Sequence, residues 1–327
     1  MNILITRHDK IGDFVTMLPV CKVLKEQTDH KIVMLVAKVN VALAKELDFI
    51  DDVIEYTNDS KALTKTIKAH NFDVSISGYI DTTLGKVLFK SRIPKRIAPA
   101  TKIAQIFFNK RVKQRRSEVK MREFEYNLQL LKAFDKTLIL EFQKPLLAVG
   151  SILSNKNSNM HSHRGRWERE EAVGSVTPNN FIIFHAGFGG SSDGNLTLDD
   201  YLKLAKTASN YTNVVFSFGP DDGESKAYIE KHLNFSATIR DDFKSLIEFT
   251  YFIAQSKLFV STSTGPMHLA GMTNTPTLSF FGANLFASAK RWGTISDEAL
   301  QHNFTVGADY GGEVYDEIEN TLLELIK

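Results

Sequence analysis

The chain has 327 residues, 43% hydrophobic and 24% charged, a soluble globular composition too long for one ordinary core, so two domains are expected. A single cysteine, Cys21, excludes a disulfide framework and points to a reducing compartment, and no run approaches the ~20 apolar residues of a membrane span or the apolar core of a secretory signal. The net charge of +2 hides an asymmetry: residues 1–150 hold 26 Lys+Arg against 17 Asp+Glu, and residues 151–327 hold 14 against 21, so the halves should meet different partners.

The first half alternates short β-rich runs with amphipathic segments, the pattern of a parallel sheet covered by helices on both faces. Strands are predicted at Ile3–Thr6, Lys31–Val36, Asp52–Tyr56, Val74–Ser77 and Arg96–Ala98. Helices are predicted at Phe14–Lys25, Val41–Leu47, Ser60–Ala69, Thr82–Phe89 and Glu123–Phe134. Phe14, Met17, Leu18, Cys21 and Leu24 fall at helical spacing and form one buried stripe, while Pro19 should kink that helix or shorten its first turn. Cys21 has neither a neighbouring His nor a turn to activate it as a nucleophile.

From Lys86 to Arg122 there are thirteen Lys+Arg and one acid, Glu118. The interleaved Ile103, Ile106, Phe107 and Phe108 suit an anionic membrane surface or a phosphorylated lipid head group. A solvated basic face is the plainer reading. No nucleic-acid module accompanies the charge, so nucleic acid is not expected as a partner.

Residues 151–180 carry little pattern and are read as the interdomain connection, between a first domain at 1–150 and a second at 181–327. His161 and His163 within it have no carboxylate or cysteine at ligand spacing, so no metal is expected. The alternation then restarts. Strands are predicted at Phe181–Phe184, Asn213–Phe218, Ala237–Ile239, Leu258–Val260 and Thr277–Phe280, and helices at Thr197–Ser209, Gly223–His232, Phe243–Ala254 and Glu313–Ile326.

Two stretches carry chemistry. In the later one, Leu258-Phe-Val-Ser-Thr-Ser-Thr-Gly-Pro-Met-His-Leu-Ala270, a strand passes through hydroxyl residues and Gly265-Pro266 into a helix. Free amides and the positive end of a helix dipole meet there, a combination that binds phosphate. Ser261 to Thr264 add hydroxyls, and His268 lies one turn in. A capped core helix with a buried histidine explains the same residues. The earlier stretch, Ile3-Leu-Ile-Thr-Arg-His-Asp-Lys-Ile-Gly-Asp13, is again a strand, a polar turn and a helix start. Asp13 suits either a helix cap or a general base.

Together the two stretches resemble glycosyltransferase family 9, the ADP-heptose:lipopolysaccharide heptosyltransferases. That family opens with a strand, Arg-x-x-x-Ile-Gly-Asp and an apolar helix carrying Leu-Pro; late in the chain it has (Asp/Ser)-Thr-Gly-Pro-Met-His-Leu-Ala, here Ser263 to Ala270. The resemblance implies a GT-B fold, two Rossmann-like domains with parallel sheets facing across a cleft. It implies Asp13 as general base, with Arg7 and Lys10 flanking it to hold an acceptor carboxylate or phosphate. It puts the donor's phosphates against Thr264, Gly265 and His268, within a motif that includes Ser263, Pro266 and Met267.

The Gly-rich run His185-Ala-Gly-Phe-Gly-Gly-Ser-Ser192 resembles the family's loop beside those phosphates, with Gly189 and Gly190 allowing close approach. Asp221, after a strand, resembles the position whose acid binds the nucleoside; a turn that caps the next helix fits it equally. Two departures stand out. Ser263 occupies a place that is acidic in many members, and Asn195-Leu-Thr197 holds no lysine where members often neutralise the leaving group. Lys290 or Arg291 is the candidate substitute, and Trp292 is expected under the nucleotide or in the core.

The expected function is inverting, metal-independent transfer of heptose from ADP-heptose to a lipopolysaccharide core acceptor, with no cofactor. The expected location is cytoplasmic, at the inner face of the membrane that carries the anionic glycolipid. The rivals are the same fold with another nucleotide sugar and a non-catalytic nucleotide-binding protein, for which a base at Asp13 has no purpose.

Overall fold

The computed structural model of the chain describes residues 1–148, 180–187 and 194–327. Almost all of the expected interdomain connection, including His161 and His163, lies outside the described residues, as do Gly189 and Gly190. Two compact units are present. The first comprises Met1–Leu146, Lys244–Ile247 and Asn284–Ile295; the second comprises Leu147–Phe243, Glu248–Ala283 and Ser296–Lys327. Late in the sequence, therefore, the chain contributes two short segments to the first unit.

The first unit contains a parallel sheet of six strands: β1 (Asn2–Arg7), β2 (Lys31–Val36), β3 (Asp52–Glu55), β4 (Val74–Ser77), β5 (Lys95–Pro99) and β6 (Lys110–Val112). Their order is β3-β2-β1-β4-β5-β6, with Ile3 opposite Ile32 on one side and Val74 on the other. A strand covered on both faces has no polar side to present, so β1 and β2 read as nearly continuous apolar runs with five buried residues each. The helices are α1 (Ile11–Gln27), α2 (Val41–Glu46), α3 (Ser60–Ala69), α4 (Thr82–Lys90), α5 (Glu123–Gln129) and α6 (Leu131–Phe134). Helix α1 runs on through Pro19 and buries Phe14, Met17, Leu18, Cys21 and Leu24 completely. The single helix expected over Glu123–Phe134 is instead two, α5 and α6, meeting at Leu130.

The second unit repeats the design. Its sheet has β7 (Phe181–His185), β8 (Asn213–Ser217), β9 (Thr238–Arg240), β10 (Leu258–Thr262), β11 (Thr277–Phe281) and β12 (Gln301–Thr305) in the order β12-β11-β10-β7-β8-β9, all parallel. Around it lie α7 (Leu198–Ala208), α8 (Gly223–His232), α9 (Leu246–Ala254), α10 (Gly265–Met272) and α12 (Gly312–Ile326), whereas α11 (Ala289–Trp292) belongs to the first unit. Tyr201, Phe184, Phe216 and Phe280 are fully buried in its core, with Ile318 and Leu322 of α12 packed among them.

Both sheets share one topology. The strand order reverses between β1 and β4 in the first unit, and between β7 and β10 in the second. At such a reversal the crossover helices diverge to opposite faces, leaving a crevice outside the carboxyl ends of the two strands where ligands bind. The two stretches singled out in the sequence leave β1 and β10, one at each crevice.

Candidate active site

In the first unit, Arg7 ends β1 and its side chain is buried. Its Nε donates to Asp9 Oδ1 at 2.8 Å, and its Nη2 donates to Asp13 Oδ1. Asp13 is therefore not a helix cap. Lys10 occupies the N-cap of α1 and makes no side-chain capping bond; Asp13 lies in the first helical turn with its carboxylate turned to Arg7. Gly78, directly after β4, leaves the room that Arg7 needs: a Cβ there would stand 2.8 Å from Met17 Sδ and 3.2 Å from Arg7 Nη1.

Burial raises the Asp13 carboxyl above the ordinary aspartate range; the Arg7 charge opposes this, and the neighbouring carboxylates of Asp9 and Glu123 add to it. A base needs that direction, because a carboxylate fully committed to its cation abstracts protons poorly. Lys10 is exposed beside it.

Glu123, the first residue of α5, lies behind this pair and is 3% exposed. Its Oε1 is 4.0 Å from Arg7 Nη1 and accepts from Arg116 Nη1, while its Oε2 is 3.4 Å from Arg291 Nε. Arg116 also donates to Gln114 Oε1 and to Asn127 Oδ1. A second, half-buried pairing stands at the same sheet end: His8 Nε2 and Asp81 Oδ2 are 2.9 Å apart, and the His8 ring stacks on Tyr56 at 4.2 Å.

In the second unit, β10 ends at Thr262 and Thr264 takes the N-cap position of α10 in extended backbone. Thr264 makes no capping bond with its side chain, Pro266 sits in the first turn where its missing N–H costs nothing, and Ser263, Thr264, Gly265 and Pro266 are all half-buried. First-turn amides of a helix have no partner within it and remain for a ligand. Met267 is fully buried in the core, and His268 is 3% exposed. Burial lowers the His268 pKa to about 4, so the ring is neutral near pH 7 and offers a hydrogen bond rather than a charge.

Beside it, His185 ends β7, with Nδ1 3.1 Å from Ser217 Oγ and Nε2 3.6 Å from Asp222 Oδ2. Asp222 also accepts from the Gly219 amide at 2.7 Å. A Cβ on Gly187 would collide with the Asp222 carboxylate, so any larger residue there must displace that side chain. Asp221 itself is exposed and caps nothing. Gly194 lies against the Phe281–Gly282 backbone, and its carbonyl accepts from Thr262 Oγ1 at 2.5 Å. Asn195, standing where the family often has a lysine nearby, accepts from Tyr201 OH at 2.8 Å. Arg291, one candidate for the missing charge, is held by Glu123 in the first unit, and Trp292 donates to Phe286 O at 2.8 Å there.

Residues 61–307 match the model of glycosyltransferase family 9 (heptosyltransferase). The chain belongs to glycosyltransferase family 9. A Haemophilus influenzae protein provisionally described as a glycosyltransferase is 35% identical over 310 residues, 90% of this chain and 86% of that one. Among solved structures, the E. coli ADP-heptose lps heptosyltransferase II superposes with a TM-score of 0.76 at 18% identity, covering 100% of this chain and 98% of that chain. The E. coli heptosyltransferase WaaC with ADP gives 0.71 at 15% identity, covering 99% and 100%. A family 9 glycosyltransferase from Veillonella parvula gives 0.75 at 13%, covering 99% and 95%. The fold is thus GT-B, and the protein is a glycosyltransferase of family 9.

Sequence reasoning gave no site role to Glu123, Arg116, His8, Asp81 and Asp222, and named His185 only as the start of the glycine-rich run. Glu123 left one usable signal, as an acid opening a helix directly behind thirteen cations. Asp222 was masked by its neighbour, since an Asp pair after a strand reads as a solvated turn.

Proposed function

We propose that this protein transfers heptose, with inversion, from ADP-heptose to an anionic lipopolysaccharide core acceptor, and that Asp13 is the general base. The observation that carries the reading is Asp13 itself: a carboxylate at the strand-order reversal of the first sheet, relieved of capping duty and raised by burial. It takes the proton from the acceptor hydroxyl as that oxygen attacks the anomeric carbon of the donor. The departing ADP carries the negative charge to the turn at Thr264 and Gly265, where helix amides and the Thr264 hydroxyl receive it. His268 supports that turn as a neutral donor. Arg7 acts on Asp13, and Lys10, exposed beside it, contacts an acceptor carboxylate or phosphate. The WaaC structure with ADP, alike in fold over the whole chain, supports an adenine nucleotide as the leaving group.

The acceptor belongs to a membrane, and no helix among the described residues is long and apolar enough to cross one. Attachment at the inner face is assigned to the basic run. There Ile103 is 82% exposed, Ile106 67% and Phe89 56%, beside exposed Lys102, Arg111, Lys113 and Arg115. Apolar side chains among cations fit an anionic bilayer surface.

The test is a transfer assay on a panel of nucleotide sugars with lipopolysaccharide truncated before its heptoses, read by mass. A gain of one heptose with ADP-heptose alone supports the reading. Transfer from a different nucleotide sugar, or nucleotide binding without transfer from any, overturns it.

A further inference from the structure

Six charged side chains meet in one cluster that includes Asp13: Arg7 at the end of β1, Asp9 in the turn after it, Asp13 on α1, Arg116 ahead of α5, Glu123 on α5, and Arg291 on α11. The centre is Glu123, which faces Arg7, Arg116 and Arg291, whereas Asp13 faces Arg7, Asp9 and Glu123. A second route leads from the same cluster to Asp13. Asn127, which accepts from Arg116 Nη2, donates to Thr16 O at 3.1 Å, and Thr16 Oγ1 donates to Asp13 O at 2.7 Å. Buried ion clusters contribute little beyond what apolar side chains of the same volume would, so stability alone does not account for this one.

We propose that Glu123 is a positioning residue that sets the orientation and ionisation of Asp13 by sharing Arg7 with it. The Arg7 guanidinium lies between the two carboxylates. Whatever part of its charge Glu123 neutralises is withheld from Asp13, which is then free to accept a proton. Arg291, from a segment whose sequence neighbours on both sides lie in the second unit, in turn draws on Glu123 through Oε2. Removing charge at Glu123 and at Arg291 should therefore act on Asp13 in opposite directions.

The catalytic consequence rests on the reading of Asp13 as the base, so the experiment has two arms. In the first, the Asp13 side-chain carboxyl carbon is followed by NMR through a pH titration, its resonance assigned by its loss in Asp13→Asn. Glu123→Gln, which keeps the shape and loses the charge, should lower the Asp13 midpoint by about 0.5–1 pH unit, because Arg7 then serves Asp13 more fully. Arg291→Met should raise it. Glu123→Asp should restore most of the wild-type value. Midpoints that stay put in both variants, or move the same way, overturn the proposal. If Glu123→Gln does not fold, Arg291→Met, 16% exposed at the edge of the cluster, decides alone by whether the midpoint rises. In the second arm, the acid limb of the kcat/KM profile should move with the resonance. A resonance that shifts while the limb stays leaves Glu123's hold on Asp13 standing and removes Asp13 as the base.

Discussion

Arg7 and Asp13, the last residue of the first strand and a first-turn residue of the first helix, are paired, and the Arg7 guanidinium is shared with Asp9 and Glu123. One buried cation thus holds three acids. Replacing it by Met would leave Asp9 and Asp13 without this cation, while Glu123 keeps Arg116 and Arg291. Removing one member of a buried pair costs about 3–5 kcal/mol. Asp9 and Asp13 keep 21% and 16% side-chain exposure, which places the expected loss near the lower end, about 3 kcal/mol. Urea unfolding of Arg7→Met near pH 7.5 measures it, and a loss under about 1 kcal/mol would show that the cluster is hydrated rather than buried.

The turn into α10 makes a separate claim on the donor. Thr264 makes no capping bond, only a long bond from Oγ1 to Thr262 O at 3.3 Å, so Thr264→Ala should change stability little while weakening ADP binding by about 1–3 kcal/mol. His268→Ala should weaken it similarly, with some loss of packing. Calorimetric titration with ADP reads both. Wild-type affinity in folded Thr264→Ala would return the segment to a structural helix start.

His268 also gives the protein a pH dependence. Its folded pKa, about 4, is below the ordinary histidine value of 6.5, so between these values the unfolded chain binds the extra proton. The stability that comes from keeping the ring neutral is full above pH 6.5 and is lost progressively as pH falls toward 4, by up to about 3 kcal/mol. Burial lowers the His185 pKa as well, so acid should act at two points of this unit. His268→Gln should therefore lose stability less steeply than wild type over that window, as followed by urea midpoints at stepped pH. Parallel curves would contradict the neutral buried ring.

How much of this could be read from the sequence depended on how local each feature is. Lys31–Val36, Val74–Ser77, Ser60–Ala69 and Gly223–His232 have the predicted bounds, because apolar runs and helical spacing are local signals. The misses are polar or short. Strand β12 reads Gln-His-Asn-Phe-Thr and sits at a sheet edge with one neighbour, so it needs no apolar run; β6, at the edge of the other sheet, is Lys-Arg-Val inside the basic stretch. Asp13 and Arg7 were legible as a strand-turn-helix motif. Glu123 and Arg291 were not, because their meeting depends on contacts between distant parts of the chain and on the return of 284–295 to the first unit.

The basic run shows the same limit. Its charge was visible, but the sequence does not say which cations face outward. Arg116 is turned inward to Glu123, with 16% of its side chain exposed, so reversing it would damage the Asp13 cluster instead of testing a surface. The informative variant changes exposed residues only: Ile103→Ser and Ile106→Ser together with Arg111→Glu, Lys113→Glu and Arg115→Glu. Each cation near an anionic bilayer contributes about 1 kcal/mol. The variant should stop floating with anionic vesicles at low salt while ADP affinity holds. Continued flotation would make the run a solvated face.

The most direct test of the central claim is the transfer rate of Asp13→Asn with ADP-heptose and heptose-less lipopolysaccharide. Asparagine keeps an oxygen for Arg7 to bond and cannot take up a proton as a base. The rate should fall by roughly 10²–10⁴ with ADP affinity and the unfolding midpoint close to wild type. Transfer at near the wild-type rate by folded Asp13→Asn would contradict Asp13 as the general base.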